Sequence, residues 1–250
     1  MNIKIKILDV AGFDNFIAEY KKSEEYAKRE KQTAFCPFAR QVIGDMLNNR
    51  PARFKWDLLD LTALINVFKH PQNSDRFVEK YFERNLRKLE FPDPIHYKIM
   101  DQFRALPEEA LGYTGAGLHS ITMIFQDQVN VVHKFMEGLY SAESVAEIKK
   151  IVTKYQKKEI PQVTDGIFSP WAHYLHPKLC PITNSKSKKM FKAFGFSWDG
   201  DYAVAMDVFM ALGKSFGIED LGLVDRLVSS SRLRAGLEKL IQLKVQTIKK

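Results

Sequence analysis

Cysteine is nearly absent from this 250-residue chain, with Cys36 and Cys180 the only two. That excludes a disulfide-stapled secreted scaffold and fits a reducing, cytoplasmic compartment. Long apolar runs are missing as well. No stretch of about 18 consecutive apolar residues occurs, so no membrane-spanning helix and no membrane partner are expected. Residues 1–6 alternate apolar and basic side chains and lack the continuous apolar core of a signal peptide. Internal repeats and Gly/Ser-rich linkers are also absent, and the connections are short and Pro-marked. One continuous body is therefore favoured over two tethered ones. What the chain does have is apolar bulk: 45% of residues are hydrophobic and 12% aromatic, including 18 Phe. Disorder and a collagen-like architecture are excluded on that count.

The charge is lopsided. The chain carries a net +8. Residues 1–125 hold 19 basic and 17 acidic side chains, a net +2, and residues 126–250 hold 19 and 13, a net +6. Three clusters supply the excess: Lys149, Lys150, Lys154, Lys157 and Lys158; Lys186, Lys188, Lys189 and Lys192; and Arg232, Arg234, Lys239, Lys244, Lys249 and Lys250. A basic face gains affinity for a polyanion by releasing its condensed counterions, and nucleic acid is the commonest such partner. A solvated helix face is the alternative for any one cluster taken alone.

Apolar periodicity is helical nearly throughout, which predicts a mainly α, compact multi-helix bundle with at most a short N-terminal strand, Ile3–Val10. Helices are expected near 13–32, 37–49, 54–68, 75–86, 95–106 and 118–139, with Pro37 at an N1 position and Ser74-Asp75 as a cap. A lysine-rich helix follows Ser144, and others are expected near 163–175, 185–194, 202–216, 220–229 and 233–248. For description the chain divides into an N-terminal helical part, 1–110, and a basic helical part, 111–250, packed as one body.

Few motifs carry chemistry. Gly115-Ala116-Gly117 opens a helix and could present backbone amides to a phosphate, but no Lys-Ser/Thr follows at Walker spacing. It reads as a tight turn with some likeness to a helix-hairpin-helix hairpin. His173-x2-His176-x3-Cys180 offers three soft ligands, yet Pro177 and Pro181 interrupt the path and no fourth ligand is near, so no metal is expected. No nucleophilic triad can be assembled, and the carboxylate pairs Glu24-Glu25, Glu108-Glu109 and Glu219-Asp220 fall at expected helix starts or solvated faces. No cofactor is expected, and the sequence leans away from an enzyme.

The most informative stretch is 166–196. An aromatic helix leads through a Pro-bounded turn to an amphipathic helix that Asn184 or Ser185 is placed to cap. Lys186, Lys188, Lys189 and Lys192 would lie outside, with Met190, Phe191 and Phe194 inside. A capped helix start with lysines suits phosphate contact. Through Tyr174-Leu175, Pro177, Pro181-Ile182, Asn184-Ser185 and Lys188, this stretch resembles a helical segment of proteins that accompany modification-dependent restriction ATPases and related prokaryotic defence genes. That segment is similar in turn to the second half of helix-hairpin-helix DNA glycosylase domains. The resemblance implies a glycosylase-like helical scaffold that contacts DNA. Asn184 stands where the glycosylase aspartate would fall, and Gly166 is followed by Ile167 and Phe168, so base-excision chemistry is not implied.

The leading expectation is thus a non-enzymatic nucleic-acid-binding protein, DNA first, of a prokaryotic defence or restriction system. Its contacts would be Asn184, Ser185, Lys186, Lys188, Lys189 and Lys192, extended by Lys149, Lys150 and Lys154, with Trp198 as an exposed base-stacker. Two alternatives stand beside it. One is a helical scaffold that binds a protein partner through Leu237, Leu240, Ile241, Val245 and Ile248 of the last helix. The other is a DNA glycosylase-like enzyme, which needs a carboxylate in a cleft.

Overall fold

A computed structural model describes residues 2–49, 55–68, 75–110, 125–157 and 165–246. The architecture is mainly helical, with one two-stranded antiparallel sheet. In chain order the elements are β1 (Asn2–Ile7), α1 (Val10–Lys22), α2 (Glu24–Gln32), α3 (Phe35–Asn48), α4 (Leu58–Phe68), α5 (Asp75–Arg87), α6 (Asp93–Arg104) and α7 (Gln126–Ser141). There follow α8 (Val145–Gln156), α9 (Asp165–Leu175), α10 (Ser185–Ala193), α11 (Tyr202–Phe216), α12 (Leu221–Ser229), α13 (Ser231–Leu237) and β2 (Ile241–Gln246). The Gly-rich turn at 111–117, the Ser74 cap and Lys158, Lys249 and Lys250 lie outside the described residues.

Caps set most boundaries. The single helix expected over 13–32 is two, because Ser23 ends α1 in extended geometry and its hydroxyl accepts from the Tyr26 amide to start α2. Ser144 and Glu147 form a capping box at α8, and Asp220 accepts from both Gly222 and Leu223 amides at α12. Helix α11 ends on Gly217 at φ 61°, a left-handed conformation that glycine adopts without a Cβ penalty.

The largest departure is at the C-terminal end. The helix expected over 233–248 stops at Leu237, and Ile241–Gln246 forms a strand paired with β1 in the register Ile3↔Val245, Ile5↔Leu243, Ile7↔Ile241. The segment Ile-Gln-Leu-Lys-Val-Gln alternates with period two, and a partner strand far away in sequence decides in favour of that period. The proposed apolar docking face of a last helix is therefore corrected: Leu237 and Ile241 are buried and Leu240 is half-buried.

Apolar side chains gather in two clusters. The first takes α3–α9 and Cys180, with Phe35, Phe68 and Tyr174 meeting edge-to-face or tilted at 5.1–6.1 Å. The second joins α1 to α10–α13 and the sheet, with Phe191 and Phe209 at its middle. Helix α11 belongs to both: Tyr202 and Met206 face the first, Ala205, Val208, Phe209 and Leu212 the second.

Candidate nucleic-acid interface

Helix α10 is built as its sequence suggests. Asn184 is the N-cap: its side-chain oxygen accepts from the Lys186 amide at 2.8 Å, and its own amide donates to Ser187 Oγ at 3.0 Å. Ser187, Met190 and Phe191 turn inward, which leaves Ser185, Lys186, Lys188, Lys189 and Lys192 exposed. None of these four lysines forms an ion pair among the described residues. Elsewhere lysines are matched, as Lys31 is to Glu109 and Lys178 to Glu219.

The two strands add a basic face that sequence periodicity misses. Ile3, Ile5, Ile7, Ile241 and Leu243 pack onto the second cluster. Lys4, Lys6, Gln242 and Lys244 point the other way and are exposed, with Lys4 directly opposite Lys244 and Lys6 opposite Gln242. Like charges facing each other across a ladder repel, so the pair favours an anion between them. This face adjoins α10. The Leu243 amide donates to the Phe194 carbonyl at 2.9 Å, and a Cβ at Gly195 would stand 3.5 Å from the Gln242 side chain.

The remaining sequence-derived contacts divide. Lys150 and Lys154 are exposed, one turn apart on α8, and unmatched by acid among the described residues. Lys149 is half-buried and bonded to Asp207, which takes it out of the set. Trp198 is not an exposed stacker: its ring packs 4.8 Å from Phe191, and its indole N–H donates to the Asp201 carbonyl at 2.8 Å. The turn that carries it joins the two helices, since Gln156 at the end of α8 donates to Gly200 and accepts from the Tyr202 amide.

A buried acid lies beneath this surface. Asp225 on α12 is almost wholly enclosed, and burial pushes its carboxyl up to about 7, against the pull of Arg226 and Lys186. Its Oδ1 has no hydrogen-bond partner among the described residues.

The soft-ligand trio weighed in the sequence, His173, His176 and Cys180, does not converge. His173 Nδ1 bonds the Cys180 carbonyl at 2.8 Å, while His176 Nε2 bonds the Leu139 carbonyl at 2.6 Å. His173 instead meets Cys36 of α3 and Asp220 of the α12 cap, the three ligand atoms all lying within 4.8 Å of one another. The order thiol, imidazole, carboxylate is that of a nucleophilic triad. Yet Cys36 and His173 are 1% and 0% exposed, and burial raises the thiol's pKa well above its usual range. A shielded neutral thiol is neither activated nor reachable by a substrate.

Compared with known proteins, the chain matches no family model, no curated protein and no solved structure.

Proposed function

We propose that this chain binds nucleic acid, DNA in the first instance, through a surface formed by the outer face of α10 and the basic face of the β1–β2 ribbon. The observation that carries the reading is the set of exposed lysines in no ion pair among the described residues: Lys186, Lys188, Lys189 and Lys192 on α10, with the opposed Lys4 and Lys244 on the adjoining ribbon. Each such cation is held ready for a phosphate with no internal ion pair to break. Lys150 and Lys154 extend the set along α8.

The chemistry is contact without cleavage. Asn184 holds the helix start by accepting from the Lys186 amide, so the position that aligns with a glycosylase aspartate serves here as a cap. The exposed Ser185 hydroxyl and the positive end of the α10 dipole lie beside Lys186, an arrangement that positions a backbone phosphate without reading bases. The resemblance of residues 166–196 to helical segments of restriction-associated proteins supports DNA as the polymer and prokaryotic defence as the setting.

Salt-titrated binding to single- and double-stranded DNA and RNA tests the proposal. Replacing Lys186, Lys188, Lys189 and Lys192 by Gln should weaken binding to every sequence and flatten the plot of log K against log salt by roughly 0.9 per lost phosphate contact, about 3 to 4 in all. Wild-type chain that binds none of the four polymers at low salt, or an unchanged slope in the variant, would overturn it.

A further inference from the structure

We infer that a cavity between α3, α6 and the end of α7 binds a small zwitterion, an α-amino acid with a polar side chain. The cavity is open to solvent and measures about 440 Å³, ample for one amino acid. Asp45 and Asn48 of α3, Lys98 of α6 and Tyr140 of α7 line it. Pro37 supplies the one aliphatic side chain among its described lining residues, so an apolar ligand finds little to bury against.

Opposite charges are the first support. Asp45 and Lys98 share this cavity, yet neither forms an ion pair among the described residues. They stand on neighbouring helices. Gln102 of α6 donates to Gln41 of α3 at 2.8 Å, one turn from Lys98 along α6 and one turn from Asp45 along α3. A ligand with an ammonium and a carboxylate on one carbon satisfies both charges, whereas a singly charged ligand leaves one of them opposed.

The acid end is the second. Asp45 is 8% exposed, and its Oδ1 accepts from Asn49 Nδ2 at 2.6 Å, while its Oδ2 has no donor among the described residues. A buried carboxylate oxygen left without a donor is costly, so the fold leaves a demand here that an ammonium meets. The soft χ2 torsion of an aspartate lets that oxygen turn toward a donor at little cost. Asp45 also lies in the last turn of α3, where the free carbonyls carry the negative end of the helix dipole. Carboxylate and dipole act in the same direction on a cation.

The wall is the third. Gly44 lies inside α3, where glycine lowers helix stability relative to alanine. A Cβ there would stand 2.5 Å from the Tyr140 hydroxyl, so glycine is what lets that ring lie against the helix. Arg40 fixes the same tyrosine. Its guanidinium donates to the Tyr140 carbonyl at 3.4 Å and to the Leu175 carbonyl, and lies 5.1 Å from the ring centroid. The Tyr140 hydroxyl has no hydrogen-bond partner among the described residues. With the Asn48 carboxamide it offers donors and acceptors to a polar side chain.

L-Glutamine is the probe, titrated into the full chain by calorimetry, with one equivalent bound as the expected result. N-Acetyl-L-glutamine lacks the ammonium and L-glutaminamide lacks the carboxylate; each should bind roughly tenfold or more weakly, as should L-leucine. Asp45→Asn keeps an oxygen for Asn49 and should weaken L-glutamine binding roughly tenfold. Lys98→Gln changes an exposed side chain with no internal bond to lose, so the fold is kept whatever Asp45→Asn does. It should weaken L-glutamine binding about threefold or more and leave L-glutaminamide binding unchanged, which assigns Lys98 to the ligand carboxylate. No heat up to about ten millimolar L-glutamine, equal affinity for the acetylated analogue, or unaltered L-glutamine affinity in Lys98→Gln would overturn the assignment. None of these residues belongs to α10 or the ribbon, so the outcome is independent of the nucleic-acid proposal.

Discussion

The two apolar clusters differ in what they do with polar groups. The first, around Phe35, Phe68 and Tyr174, encloses Cys36 and His173 and turns their polar atoms inward, onto each other and onto Asp220. The second, around Phe191 and Phe209, keeps its lysines outside on α10 and the ribbon, with Ser187 and Asp225 enclosed beneath them. One cluster turns polar groups inward, the other keeps its charges outside. The same helical chemistry serves both because an amphipathic helix fixes which residues are inside, while the partner helix decides what they meet.

The comparison breaks most visibly if the clusters are separate units. Helix α11 contributes to both, so Tyr174→Ala in the first and Phe191→Ala in the second should each cost about 3–5 kcal/mol and lower one common transition. Urea melts followed by circular dichroism and by tryptophan fluorescence check this. Two transitions, each moved by only one substitution, would show that α11 does not couple the clusters.

Next in size is the enclosed acid. Asp225 has a folded pKa near 7 against an ordinary 3.8, so the folded state binds its proton more tightly than the unfolded state does. Its contribution to stability is therefore fully present below about pH 4 and lost as pH rises through 7. Asp225→Asn removes the titration. Relative to the wild type, the variant should gain about 2–4 kcal/mol between pH 4 and pH 8, read from denaturant melts at each pH. A difference that does not vary with pH would place the carboxyl in a wetter environment than its burial implies.

The smallest effect is also the most discriminating. Lys4→Gln with Lys244→Gln relieves a directly opposed like-charge pair and should raise stability by about 0.2–1 kcal/mol. The same double substitution should reduce the salt dependence of nucleic-acid binding by about 1 to 2 in slope. A surface shaped for stability alone gives the first result without the second.

Much of the fold is legible in the residues themselves, because helix starts are local events. Ser144 with Glu147, Asn184 with Ser187, and Asp220 ahead of Leu221 mark α8, α10 and α12 within a few positions. Strand β2 is not legible. Leu237, Leu240, Ile241 and Val245 satisfy helical spacing while Ile241, Leu243 and Val245 satisfy strand spacing, and the tie is broken by β1 at the other end of the chain. The buried trio is hidden for the same reason. Spacing pairs His173 with His176 and Cys180, but the ring turns to Cys36 and Asp220, which lie far off in sequence. Lys149 misleads in the opposite direction: it sits in a basic run, and only the packing of α8 on α11 brings Asp207 to it.

The ribbon has a consequence for the chain while it is being made. Residue 2 pairs with residue 246, so at synthesis rates of roughly 5–20 residues per second β1 waits about ten seconds to a minute for its partner. During that interval Ile3, Ile5 and Ile7 form a short apolar strand with no mate, the type of segment that other nascent chains can capture. Lys4 and Lys6 interrupt it at every second position. The exposed lysines of the finished ribbon thus act earlier as guards against misassembly, repelling a second copy of the same strand until Ile241–Gln246 arrives.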